Sequence, residues 1–170
     1  MTPEEAKARV HTFLRTWPGV FAIADDEDGR GAQLIERGTG KTLPIRWDNI
    51  GEAVEKSSPL RPHPYLVLVF QGGAQVALAD VGFAFAPSTR NSGPLGELPA
   101  TFCFRDLRHL MSGAQSILDE HEGRAPEALK AVLMGIALLD GARDVGFEVG
   151  REERTLDKLL REIEQRGAAR

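Results

Sequence analysis

Gly40-Lys41-Thr42 is how a phosphate-binding P-loop ends, and it raises the first chemical question about this chain. Such a loop needs a glycine five residues before the second one, so that backbone N–H groups can wrap the phosphates. That position is Ile35. The loop must also open a helix, and Pro44 in "LPIRW" breaks one within its first turns. Nucleotide binding through Lys41 is therefore not expected, and the two glycines of "GTG" are read as turn residues. The acidic run "DDEDG" invites a calcium loop, which needs oxygen ligands at alternating positions before the glycine and a glutamate six residues after it. Asp26 and Asp28 fit, but Ala24 and Ile35 occupy the other two positions. A solvated turn is the better reading.

The remaining chemistry-bearing residues are scattered. His11, His63, His109 and His121 show no paired metal-ligand spacing, and the single cysteine supplies no zinc cluster, so no metal and no cofactor are expected. Cys103 stands between Phe102 and Phe104, where a thiol is packing rather than nucleophile. No GxSxG elbow exists for a serine hydrolase. Two polar groupings stand out. In "FRDLRH", Asp106 and His109 lie three apart and Arg105 lies four before His109, so on a helix they can touch. A carboxylate beside an imidazole can orient it as a base. The helical wheel nevertheless turns His109 away from Leu107 and Met111, which favours a solvated face with Asp106 as a first-turn cap. The second grouping joins "LPIRW" to "PLRPHPY". Arg46, Trp47, Arg61, His63 and Tyr65 combine cations with aromatics, which suits partner recognition or an anionic ligand. The plainer reading is that Trp47 and Tyr65 anchor a sheet while the arginines are solvated.

The elements that must position these groups follow from periodicity. Thr2, Pro3 and Glu5 start a helix with a capping box, Ala6, Val10, Phe13, Leu14 and Trp17 give it one apolar face, and Pro18-Gly19 ends it. Two hairpins follow, turning at Asp28-Gly29 and at Gly38-Thr39-Gly40. "DNIGEAVEKSS" reads as one short helix capped by Asp48. "YLVLVF" and "AQVALA", joined at Gln71-Gly72-Gly73, are almost wholly apolar, so both are central strands covered on two faces. "VGFAFAP" either continues the second past a bulge at Gly82 or begins another strand. The loop 87–100 is rich in glycine and proline and is expected to be mobile. Helices are expected over 106–122, 126–140 and 151–165. The second of these is apolar on two sides, and the third is expected to pack back onto its Ala131, Met134 and Leu138 face.

A helix, a meander of about five antiparallel strands, then two to three helices packed on the sheet make an α+β fold. The 170 residues are read as one domain, sheet-rich over 18–104 and helical over 105–166. A net charge of −4 argues against a nucleic-acid binder, which would need the arginines gathered on one face. One cysteine, no apolar leader and no membrane-length run are what a cytoplasmic chain shows. The expected function is non-catalytic: a binding or assembly protein, adaptor- or chaperone-like, with a protein partner or a second copy of itself. Its candidate contacts are Arg46, Trp47, Arg61, His63, Arg105, Asp106 and His109. The competing expectation is an enzyme or small-molecule sensor with a pocket between sheet and C-terminal helices, using Asp106, His109 and Arg46.

Overall fold

The structure, a computed structural model, describes residues 1–59, 61–85, 102–120 and 125–168. The 87–100 loop and His121 lie outside them. The fold is α+β, and the chain divides into two compact units, one of Met1–Phe85 with Asp144–Glu148 and one of Ala86–Arg143 with Val149–Arg170.

The first unit opens with helix α1 (Pro3–Arg15). Thr2 caps it as the sequence requires: its hydroxyl accepts from Glu5 N–H at 3.1 Å, and the Glu5 carboxylate accepts from Thr2 N–H at 3.1 Å. Ala6, Val10, Phe13 and Leu14 make its buried face. Strands β1 (Phe21–Asp25), β2 (Gly31–Glu36) and β3 (Thr42–Arg46) form an antiparallel three-stranded sheet in that order. Its two turns carry Gly29 and Gly40, each at φ +72, where an L side chain is disfavoured. "RGTGKT" is thus a hairpin. Beside this turn the Lys41 Nζ donates to Glu148 C=O at 3.1 Å, at an exposed position.

A single 3-10 turn (Trp47–Asn49) leads into β4 (Ile50–Lys56), which pairs with β5 (Tyr65–Phe70), then β6 (Gln75–Ala79) and β7 (Gly82–Phe85), all antiparallel. The seven strands of this unit replace the five expected, and the two additions are β4, in 48–58, and β7. That segment is a strand rather than a helix because Ile50 and Ala53 are drawn into pairing with Phe70 and Leu68, an interaction local propensity does not see. "VGFAFAP" begins a separate strand after a two-residue turn, with Gly82 at φ +112. β5 and β6 lie inside the sheet, as their unbroken apolar runs demand.

Ala32, Leu34 and Glu36 share the buried face of β2, so alternation carries a carboxylate into the core. Glu36 is 4% exposed. Its Oε1 accepts from Phe83 N–H at 2.8 Å, and its other oxygen accepts from the Thr39 hydroxyl. Around it Phe83 meets Phe21 and Phe147 edge-on at ring separations of 5.3 and 4.9 Å.

The second unit holds the two-residue strand β8 (Phe102–Cys103) and helices α2 (Phe104–Glu120), α3 (Ala125–Val145) and α4 (Gly150–Ala168). Gly135 of α3 lets α4 approach: a Cβ there would stand 3.0 Å from Leu156 and 3.6 Å from Leu107 of α2. Arg143 ties the same two helices by pairing with both Asp140 and Glu153. Arg166 ties α4 to α2 by donating to Leu118 C=O. The expected packing of the last helix on α3 is present at Gly135, but Ala131 and Met134 face a groove shared with α2 instead.

Candidate functional site

An apolar-walled groove of the first unit runs along α1. Its volume is about 660 Å³, within the range of ligand-binding clefts. Helical spacing brings Arg9, Thr12, Phe13, Thr16 and Trp17 to one side, and Ala53, Glu55, Pro64 and Leu66 complete the walls. Leu66 stands opposite Glu55 in the β4–β5 ladder, which places both on one face of the sheet.

β4 is an edge of its sheet in this unit. Gln71 N–H donates to Asn49 C=O at 2.8 Å, which starts the ladder's alternation, and a bulge at 50–52 resets it. Ala53 and Glu55 are then the residues whose backbone groups turn away from β5. Arg9 Nη1 donates to Ala53 C=O at 2.7 Å, in keeping with that direction. A cation on an edge carbonyl blocks indiscriminate strand pairing there while leaving Glu55 beyond it.

At the far end of the groove Trp17 packs edge-on against His63, with ring centroids 4.9 Å apart. Arg61 lies over the Tyr65 ring at 5.6 Å. Of the sequence candidates, His63 is therefore brought beside this groove, whereas Arg61 stacks on Tyr65, which strand alternation sets on the face opposite Leu66. Trp47 and Arg46 are not part of it. Trp47 is buried at 2% exposure beneath α1, with its ring 6.0 Å from that of His11. Arg46 is exposed and its Nε stands 3.8 Å from Asp48.

Arg105, Asp106 and His109 belong to the second unit. Asp106 is a cap: its carboxylate accepts from Cys103 N–H at 2.8 Å, just ahead of α2. Arg105 and His109 are exposed. Asp106 and His109 do line a groove of about 460 Å³ between α2 and α3, whose other walls include Leu110, Ile117, Ala131 and Met134. Cys103 is buried, and burial pushes its thiol pKa upward against the opposing effect of a backbone hydrogen bond at Asp106. Among the described residues no group of three or more His, Cys, Asp or Glu is placed to hold a metal ion. No helix among them is long and apolar enough to cross a membrane.

Sequence reasoning missed Arg9, Thr12, Thr16 and Glu55. Arg9 and Thr12 on α1 and Thr16 at its C-cap border the apolar stripe, a visible signal, but their meeting with Glu55 depends on a strand that local pattern does not reveal. No protein-family model matches the chain, and neither a curated protein nor a solved structure resembles it significantly.

Proposed function

We propose that this protein is a binding module whose α1 groove holds a short extended segment of a protein partner. The observation that carries this reading is the coincidence, in one cleft, of an apolar lining with the outward backbone of an edge strand. Phe13, Trp17, Pro64 and Leu66 offer a seat for an apolar side chain. The Glu55 backbone offers a place for main-chain hydrogen bonds, the pairing used in strand addition. Trp17 and His63 at the end of the cleft have the aromatic character of an interface anchor. An adaptor or assembly role follows from such a surface, with His63 as a contacting residue.

Selection of peptides from a displayed random library against the intact chain tests this. The expected result is a family of peptides sharing an apolar anchor, whose binding is lost in Thr12→Arg, a change at an exposed position that fills the cleft. Peptides that bind Thr12→Arg as well as the parent, or no enriched family at all, overturn it.

A second reading rests on the α2–α3 groove. Asp106 and His109 stand at the mouth of an otherwise apolar cavity, a layout suited to a small molecule with one polar end.

A further inference from the structure

Phe70 N–H donates to Ala74 C=O at 2.9 Å, so Phe70, Leu68 and Leu66 turn their backbones toward β6. Val67 therefore bonds its ladder partner Val54, and Glu52 and Lys56 turn toward β5 with Val54. Ala53 and Glu55 are left with their backbone groups directed out of the sheet. Glu52, Glu55 and Lys56 are exposed along this edge, and none has a side-chain partner among the described residues. Ala53 differs: it is fully buried, and the exposed Arg9 holds its carbonyl at 2.7 Å. An incoming strand must draw that guanidinium away. A strand that brings a carboxylate opposite Ala53 gives it a charged partner in exchange.

The order of charges on β4 meets this demand when the strand is paired with itself. Consider two copies of β4, antiparallel, about a two-fold axis at Val54. Ala53 of each copy then stands opposite Glu55 of the other in a hydrogen-bonded position, and the two exchange N–H and C=O contacts. The Glu55 carboxylate arrives beside Arg9 of the other copy. On the opposite face of the sheet, Glu52 of each copy lies across from Lys56 of the other, and Val54 meets its own symmetry mate. Directly opposed Cβ atoms are about 4.5–5.5 Å apart, within reach of an ion pair. Every unpartnered charge of the edge is thereby matched. Neighbouring registers fail, because one sets Glu55 against Glu55 and the next sets Lys56 against Lys56. Self-complementarity of this kind is what a two-fold interface requires.

Resting on the binding reading above, we propose that the segment seated on β4 is β4 of a second copy of this chain, in a two-fold antiparallel pairing centred on Val54. Arg9 is the latch that admits it, passing from the Ala53 carbonyl to Glu55 of the second copy. The contact spans one short strand, so association is weak, at about 10–100 μM, and the dilute chain keeps its edge free.

Charge reversal tests the register. Glu52→Lys places like charges at both Glu52–Lys56 positions of the dimer, and so does Lys56→Glu. Each alone, checked for folding by circular dichroism, is expected to weaken self-association about tenfold or more by sedimentation equilibrium. Mixed with each other, the two variants restore opposite charges at both positions, and dimer is expected to return. Glu52→Lys/Lys56→Glu in one chain is expected to dimerise as the unsubstituted chain does. Glu55→Lys, which sets a cation against Arg9 of the second copy, is expected to weaken association by a similar factor. An unsubstituted chain that stays monomeric up to about 1 mM overturns the pairing. A dimer that the single reversals leave unchanged, or that mixing them does not restore, overturns the register. Displayed peptides that bind a chain of this kind, always monomeric, overturn the second copy as occupant and leave the binding reading standing. A dimer that responds to the reversals with no enriched peptide family supports the pairing and removes the adaptor role.

Discussion

Glu36 and Gly82 show how a single residue can join two sheets. The Glu36 carboxylate, carried into the core by strand alternation, takes the Phe83 N–H at the start of β7. Gly82 leaves the room it needs, because a Cβ there would collide with that carboxylate, and its φ of +112 is one that L side chains avoid. Glu36→Ala is expected to lower unfolding free energy by about 1–3 kcal/mol, since it leaves a buried N–H without an acceptor. Glu36→Gln, which keeps one, is expected to lose less, and urea unfolding ranks the pair. Gly82→Ala should destabilise well beyond Gly72→Ala, where the added methyl meets nothing within 4 Å. The lone thiol gives a chemical readout. Burial raises the Cys103 pKa, so less thiolate is present at neutral pH than in an exposed cysteine. Alkylation by iodoacetamide at pH 7 is expected to be slow in the folded chain and fast in urea. Equal rates in the two states would contradict the burial.

At the scale of elements, α1 is the part of the molecule most completely written in local sequence. Thr2, Pro3 and Glu5 specify its start, and both reciprocal hydrogen bonds form. Thr2→Ala is expected to cost about 1 kcal/mol by removing one of them, measurable as a lowered urea midpoint with unchanged slope. The α3–α4 contact depends on the absence of a side chain. Gly135 sits against Leu156 and Leu107, so Gly135→Leu should force the helices apart and destabilise the second unit by about 1–3 kcal/mol. Leu133, on the same helix but 46% exposed, is the control. Leu133→Lys is expected to change thermal stability little, and a large loss there would show that α3 is covered on that side too.

For the molecule as a whole, protection from exchange should follow strand order. β5 and β6 have a strand on each side, and Leu68 and Leu78 within them are fully buried. Their amides are expected to exchange slowest, near the global unfolding free energy. The Ala53 and Glu55 amides of edge strand β4 should exchange far faster, and they are the ones a bound extended segment would protect. Hydrogen exchange read residue by residue checks both statements, and slow exchange at Glu55 in the free chain would remove the open edge on which the proposed function rests.

Much of this was legible before any coordinates, because it is set by short-range chemistry. A capping box, a glycine at positive φ and an unbroken apolar run each state their own conformation, so α1, the hairpin hidden in "RGTGKT" and the central β5–β6 pair could be read directly. Asp106 as a cap belongs with them, since its partner is three residues away. The tertiary structure decided what depends on distant partners. Residues 50–56 became a strand because β5 offered a ladder, Glu36 became a core residue because β7 offered a donor, and Lys41 found the Glu148 carbonyl far along the chain. The sequence grouping of Arg46, Trp47, Arg61 and His63 dissolved for the same reason. Proximity along the chain gathered them, but which wall each side chain joins is fixed by the packing of α1 against the strands. Burial and pairing over long sequence separations outweigh local preference wherever the two compete.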